Sequence, residues 1–197
     1  MIKRLFDLFF SFFGLILLTP LFILIALWIK LDSKGSIFFR QERVGLEGVI
    51  FKIHKFRTME SSSENQVRLT IGNDSRITKS GQFLRKYKID ELPQLIDVLI
   101  GKMSLVGPRP EVKEFIKEYP LEIKDKILSV RPGITDMASI IMVNENEVLE
   151  KYKDPMKAYI DIVLPIKQKH YLDYINNHNI WLDLKIIFLT FKKIITR

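Results

Sequence analysis

Asp90 and Glu91 stand side by side in the stretch KIDELPQL, and the run just upstream, Ser75 to Ile89, carries five basic side chains and no acidic one. Adjacent carboxylates in basic surroundings suit phosphate chemistry. A carboxylate can attack phosphorus and form an aspartyl phosphate. A neighbouring carboxylate can help hold a divalent cation that bridges phosphate oxygens. Successive helical side chains point ~100° apart at ~3.6 residues per turn, so the two acids need not share a ligand and can have different tasks. The plainer reading is that both are ordinary first-turn helix residues. For Lys55, Arg57 and Thr58 in KFRTM the plainer reading is a strand with a basic exposed face, and for GPRP a stiff connector with a solvated Arg109.

The elements around these residues predict how they are held. Leu92, Leu95, Ile96 and Leu99 recur at helical spacing, Gly101 is a stop and Pro93 is tolerated only near the start. Asp90 and Glu91 are thereby expected at a helix N-terminus, where free N–H groups and the dipole favour anions. Upstream, Ser80 is expected to cap a short basic helix, Gly81–Lys88. The stretch SIFFRQERVGLEGVIFKIHKF predicts a β-hairpin with strands near Ser36–Val44 and Val49–Phe56 around Gly45 and Gly48. MESSSENQVRLT reads as a mobile polar loop. Pro110 is expected near the first position of a further helix, and VRPGIT is a second rigid turn. Asn144 with Glu147 resembles a capping box, and Asp154-Pro155 opens a longer helix bent at Pro165. No repeat or linker divides this part of the chain.

The 31 basic and 23 acidic residues leave a net charge of +8, which suits nucleic acid, an anionic membrane surface or phosphorylated substrates. The absence of cysteine excludes disulfides, thiolate metal sites and thiol nucleophiles. His54, His170 and His178 show no i,i+4 pairing, which argues against zinc. Leu8 to Ile29 is uncharged, and 22 helical residues reach ~33 Å, about the hydrocarbon thickness of a bilayer. With no small-residue cleavage site after it, the run reads as a permanent membrane segment. Lys3 and Arg4 precede it, and Lys30, Lys34, Arg40 and Arg43 follow. Basic flanks prefer the cytoplasmic side. A helix bent at Pro20, with the Thr19 hydroxyl returned to a freed carbonyl, satisfies both flanks by entering and leaving on one face. A straight crossing is the alternative. The last segment places Trp181, Leu184, Phe188 and Phe191 on an apolar stripe beside several lysines, which fits an interfacial helix; a core helix with a basic outer face is the other reading. The expected fold is α/β mixed, mainly helical with a short β-hairpin. A re-entrant membrane helix occupies 1–32, and a cytosolic catalytic domain with an amphipathic C-terminal helix occupies 33–197.

KRLFDLFFSFFGLILLTP, FRQERVG, KFRTM, GQFLRKYKIDELPQLIDVLIGKMSLVGPRPE and RPGIT, in that order, resemble the bacterial monotopic phosphoglycosyl transferases. The likeness runs from the membrane helix through Thr135, and the length is similar to that of the minimal members. DELPQL together with SLVGPRP is its specific part. The resemblance implies transfer of a sugar-1-phosphate from a UDP-sugar to polyprenol (undecaprenyl) phosphate, with release of UMP, as the first membrane step in making exopolysaccharide, O-antigen or another glycoconjugate. It implies Asp90 as covalent nucleophile and Mg²⁺ ligand, and Glu91 as the second acid. Lys55, Arg57, Arg85, Pro108, Arg109 and Pro110 match phosphate- or nucleotide-binding positions, and Thr19 and Pro20 match the re-entrant kink. It further implies Mg²⁺ as cofactor, membrane lipids as partners and the cytoplasmic face of the bacterial inner membrane as location. It leaves a homodimer open and does not name the sugar. Thr19 stands where many relatives carry Ser, Gly101-Lys102 where many carry Gly-Asp, and Asp136-Met137 where Gly-Trp is common.

Two rival readings make different predictions. A nucleic-acid-binding protein needs stacking aromatics in its basic stretch, and between Arg76 and Lys88 only Phe83 and Tyr87 are present. A non-catalytic membrane-anchored scaffold of the same fold predicts no UMP release, although the acidic pair and its basic set are all retained.

Overall fold

Leu, Ile and Phe without an intervening charge form one helix, α1 (Ile2–Asp32), which runs without a break through Pro20. A computed structural model describes residues 2–60 and 74–196; most of the loop predicted at 59–70 lies outside the described residues. α1 is long and apolar enough to cross a membrane, and only 11% of its most apolar window is buried, so it is not a core helix. The helix continues on both sides of Pro20, where a bend is expected from the missing N–H. Thr19 donates its hydroxyl to the carbonyl of Leu15 at 2.7 Å, one residue before the Ile16 carbonyl that Pro20 cannot serve.

One stripe of α1 faces the rest of the chain: Arg4, Asp7, Ser11, Gly14, Phe22, Ile25, Ile29 and Asp32, at intervals of helical periodicity. Both ends of that stripe are tied down. At the start, Lys3 bonds Asp183 at 2.6 Å and Arg4 donates to the carbonyls of Val98 (2.7 Å) and Leu99 (3.1 Å). Asp7 accepts from the Ser104 hydroxyl at 2.9 Å and the Leu105 N–H at 3.0 Å. At the far end, Asp32 accepts from the Ser80 N–H at 2.8 Å, while Ile25 and Ile29 pack on Phe56 and Leu84. The opposite face leaves Phe9, Phe13, Leu17, Leu24, Trp28 and other large apolar side chains exposed.

The hairpin is present as β1 (Phe38–Val44) and β2 (Ile50–Phe56), antiparallel, with Gly48 at φ 79 in the turn. The basic helix, α2 (Lys79–Lys86), begins two residues earlier than expected, because Thr78 rather than Ser80 accepts the Gly81 N–H, at 3.0 Å. Lys88 then takes a left-handed conformation (φ 57) and breaks the helical path. A single 3₁₀ turn, Ile89–Glu91, follows, and then α3 (Gln94–Leu99) with Pro93 at its cap. Gly101 ends this segment at φ 87.

Two short strands were not legible as such. β3 (Ser104–Val106) and β4 (Gly133–Thr135) pair in parallel and form a second two-stranded sheet. Helices α4 (Lys113–Lys117) and α5 (Leu121–Leu128) lie between them in sequence, so the first helix after GPRP starts at Lys113 and not at Pro110. Beyond β4 come α6 (Met137–Ile141), α7 (Glu145–Glu150) and α8 (Pro155–Ala158). Asn144 precedes α7 without a side-chain cap bond, whereas Asp154 caps α8 through the Lys157 N–H at 3.0 Å. The bend expected at Pro165 takes the form of a π-turn, Tyr159–Val163, leading into α9 (Leu164–Asn177). A missing proline N–H is a natural place for such a bulge.

The main core is built from Phe115, Ile116, Tyr119, Ile127, Leu149, Tyr159, Leu164 and Tyr171. The last helix, α10 (Ile180–Ile195), buries Asp183 and Ile186 inward and leaves Trp181, Leu184, Phe188 and Phe191 exposed. The described residues are mainly helical with a short antiparallel hairpin, as the sequence predicts.

Candidate active site

Glu91 is the hub of the site. Its Oε1 accepts from Lys55 Nζ at 2.7 Å and from Arg109 Nη2, and its Oε2 accepts from Arg109 Nη1 at 3.2 Å. Three separate elements therefore meet: Lys55 from β2, Glu91 from the 3₁₀ turn, and Arg109 from the turn after β3. Asp90, equally buried, keeps its Oδ1 without a hydrogen-bond partner among the described residues. The two acids do have different surroundings, as their angular separation on the turn suggests.

The site does not owe its positive potential to a helix end. Glu91 N–H and Leu92 N–H bond back to the carbonyls of Lys88 and Ile89, and α3 has only six residues. The cations are side chains. Burial pushes the Asp90 carboxyl above the usual aspartate range; Lys55, Lys88 and Arg85 oppose that shift, while Glu91 adds to it. Burial acts on Glu91 in the same direction, but Arg109, Lys55 and Lys88 together overrule it and hold that carboxyl well below the usual range. Glu91 in return keeps Arg109 protonated well above its ordinary value. Burial lowers Lys55, an effect that Glu91 offsets in part.

The turn that carries Arg109 is clamped on both sides. The Gly133 N–H donates to Pro108 O at 2.9 Å, the Gly107 N–H donates to Thr135 O at 3.1 Å, and the Val44 N–H donates to Glu111 O at 2.9 Å. Gly107 and Gly133 approach so closely that a Cβ on Gly133 would lie 2.1 Å from Gly107 N. Pro108 and Pro110 stiffen the same turn, so Arg109 is presented from a fixed backbone.

Other residues singled out in the sequence have different placements. Arg57 is buried and donates to the carbonyls of Ser33, at 2.9 Å, and Lys34, tying β2 to the end of α1. Arg85 donates through Nε to the Thr58 hydroxyl at 2.8 Å, and its charge reaches Asp90. Thr19 and Pro20 are exposed on α1, outside the Glu91 cluster. Lys3 and Arg4, read from sequence as a basic flank, are both held by protein acceptors. The sequence reads Arg43 only as part of a basic flank and Asp136 only as a departure from the Gly-Trp of relatives, and it gives no signal for grouping them with Glu111, Tyr119 and Tyr171, because that grouping depends on the β3–β4 pairing and on the bond from the end of β1 to Glu111.

Among the described residues no group of three acidic or histidine side chains is arranged to hold a metal. Asp90 Oδ1 is a hard oxygen donor, whereas both Glu91 oxygens are engaged. That donor set fits a Mg²⁺ bound through one carboxylate and the phosphates of a substrate, and does not fit a protein-only cage.

The chain is similar to several sugar-phosphate transferases. It is 42% identical over 192 residues to the UDP-glucose:undecaprenyl-phosphate glucose-1-phosphate transferase of Klebsiella pneumoniae, covering 95% of this chain and 39% of the relative. It is 36% identical to the UDP-N-acetylgalactosamine-undecaprenyl-phosphate N-acetylgalactosaminephosphotransferase of Aeromonas hydrophila, covering 99% and 44%. The chain thus spans less than half the length of these two relatives. It is also 36% identical to the exopolysaccharide production protein PSS of Rhizobium leguminosarum bv. phaseoli, covering 100% of this chain and 96% of that one. The bacterial sugar transferase family model matches residues 1–197, and the chain belongs to that family.

Proposed function

We propose that this chain transfers a sugar-1-phosphate from a UDP-sugar to undecaprenyl phosphate through a covalent intermediate on Asp90. The observation that carries this reading is the asymmetry of the acidic pair. Glu91 is ionised and neutralised by Lys55 and Arg109, while Asp90 beside it keeps a free oxygen and a raised basicity. Asp90 attacks the sugar-bearing phosphorus of the donor. A carboxylate–phosphorus bond forms, the bond to the bridging oxygen breaks, and UMP leaves with that oxygen and its electron pair. An oxygen of undecaprenyl phosphate then attacks the same phosphorus and expels the Asp90 carboxylate, giving undecaprenyl diphosphate sugar. Lys55, Arg85, Lys88 and Arg109 set the field in which the phosphates are held, and phosphoryl transfer depends chiefly on such positioning and charge stabilisation. Asp90 would hold Mg²⁺ together with phosphate oxygens of the substrate, and the ion would supply charge neutralisation to the phosphates.

We further infer that α1 enters and leaves the bilayer on one face. Thirty-one helical residues reach ~46 Å, more than a bilayer core. Yet Arg4 and Asp7 at one end and Asp32 at the other are tied to the same folded body. A crossing would have to drag that body through the hydrocarbon. The exposed faces of α1 and α10 are the membrane-facing surface in this reading, with the catalytic part on the cytoplasmic face of the inner membrane.

Purified full-length protein with Mg²⁺, undecaprenyl phosphate and a panel of UDP-sugars tests the reaction. UMP release and a donor-derived adduct on Asp90 in the mass spectrum are expected, and both vanish in Asp90→Asn. Turnover by Asp90→Asn, or an adduct elsewhere, would remove the nucleophile assignment; no UMP from any donor would favour the scaffold. Because the chain lacks cysteine, single cysteines at Ile2 and Lys34 report topology in sealed vesicles. Labelling from one common side is expected, and opposite sides would establish a span.

A further inference from the structure

Beyond Arg109 lies a second buried polar group of side chains. Part of it is self-satisfied. Tyr159 donates to Glu111 Oε1 at 2.8 Å, and Lys167 donates to Tyr159 Oη at 3.1 Å and pairs with Glu145 at 2.8 Å. Asp136 caps α6, accepting the Ser139 N–H at 2.9 Å and the Ser139 hydroxyl. Three members are not satisfied. The Arg43 Nε and the hydroxyls of Tyr119 and Tyr171 are buried with no hydrogen-bond partner among the described residues. Tyr171 is 1% exposed and Tyr119 6%. A buried polar atom left unpaired costs about 1–3 kcal/mol, and three in one neighbourhood point to a partner the folded chain does not supply.

Their location narrows that partner. The two tyrosine rings rise from the main core, which separates them from solvent on one side. Burial pushes both phenols up, and the charges of Glu111 and Asp136, within electrostatic reach of both, push them further. Tyr171 also lies within the field of Arg109. Asp136 directly follows β4 and Arg109 closely follows β3, so the parallel pair brings the two to one end of the small sheet. Arg43 approaches Glu111 at 3.9 Å from the end of β1. The neighbourhood therefore adjoins the Glu91–Arg109 pair but carries three carboxylates of its own, Glu111, Asp136 and Glu145, against the two cations Arg43 and Lys167. An anion is disfavoured there. A neutral ligand with hydroxyls that both donate and accept matches two phenols and a guanidinium N–H.

We propose that Tyr119, Tyr171 and Arg43 form the subsite that takes the hydroxyls of the donor's sugar ring, leaving the diphosphate to the cations around Asp90. This rests on the UDP-sugar reading above. The subsite makes the phenols specificity-determining groups, because a ring that fails to satisfy them leaves them unpaired.

Tyr171→Phe and Tyr119→Phe, made in the full chain, test it with the best UDP-sugar found in the panel and with UMP as competitive inhibitor. Each variant is expected to lose about three- to tenfold in kcat/KM for the UDP-sugar, the size of one hydrogen bond, mainly through KM. UMP inhibition, which involves no sugar, is expected to stay within about twofold. An equal loss against UMP would place the nucleotide there and overturn the proposal. Unchanged kcat/KM in both variants, whatever their thermal stability, would show that neither hydroxyl touches the sugar and also overturn it. In either case UMP release by the parent keeps the transferase reading intact, whereas no release from any donor removes both.

Discussion

Arg109 grips Glu91 with both terminal nitrogens, and the same carboxylate oxygen that takes Arg109 Nη2 also takes Lys55 Nζ. One buried anion thus joins a strand, a 3₁₀ turn and a proline-stiffened loop. The arrangement neutralises Glu91 and fixes Lys55, whose charge also acts on Asp90.

Glu91→Gln should expose how much the site depends on that junction. It leaves the half-buried Lys55 and Arg109 without their counter-charge, a loss of about 1–3 kcal/mol in stability. UMP release should fall by roughly a hundredfold or more as the cations lose their positions. In a thermodynamic cycle with Arg109→Ala the two losses should be strongly non-additive. Additive losses, measured by thermal unfolding and turnover together, would mean the pair is not a unit.

Asp90→Asn should be inactive and more stable than the parent at neutral pH. Burial raises the folded-state pKa of Asp90 above its unfolded value. Its contribution to stability is therefore greatest where the carboxyl is protonated, and is lost as pH rises through the raised pKa. Asparagine cannot ionise, so the variant should lack that decline. Glu91 has the opposite sign: its stabilisation is present above the unfolded glutamate pKa and lost as pH falls toward its depressed value. Melting temperatures across a pH series separate the two, and identical slopes for parent and Asp90→Asn would contradict the assignment.

The pH–rate profile should have an acid limb above the usual aspartate range, set by ionisation of Asp90. Lys55 pulls that carboxyl down. Lys55→Met should move the limb to higher pH in addition to lowering the rate. A limb that stays put or moves down would show that a different group controls it.

Gly133→Ala tests the clamp on Arg109. The added Cβ would lie 2.1 Å from Gly107 N, so the β3–β4 pair must open. A cost of about 1–3 kcal/mol is expected, together with a loss of UMP release larger than that cost implies, because the Arg109 turn moves with it. Gly14→Ala is the control: its Cβ would meet only Leu95, at 3.4 Å, an ordinary contact. Equal effects of the two substitutions on turnover would argue against the clamp.

Much of this protein was legible in one dimension. The uncharged run from Leu8 to Ile29 determined the exposed apolar helix, since nothing but a continuous helix satisfies so many backbone groups in an apolar setting. Two β-rich runs flanking Gly45 and Gly48 determined the hairpin, and the helical spacing of Leu92 to Leu99 put Asp90 and Glu91 at the start of a helix, where the structure has a 3₁₀ turn leading into it. These are local regularities, set by periods of two or of 3.6 residues. What only the tertiary structure decided is how distant residues share charges. Lys55, Glu91 and Arg109 are separated by 36 and 18 positions. Arg57 resembles Lys55 in sequence, yet it holds the end of α1 while Lys55 holds Glu91. The parallel pairing of two three-residue strands brought Asp136 to the same end as Arg109. No local pattern encodes such meetings, because the energy of a charge depends on which other charges and how much water the fold leaves around it.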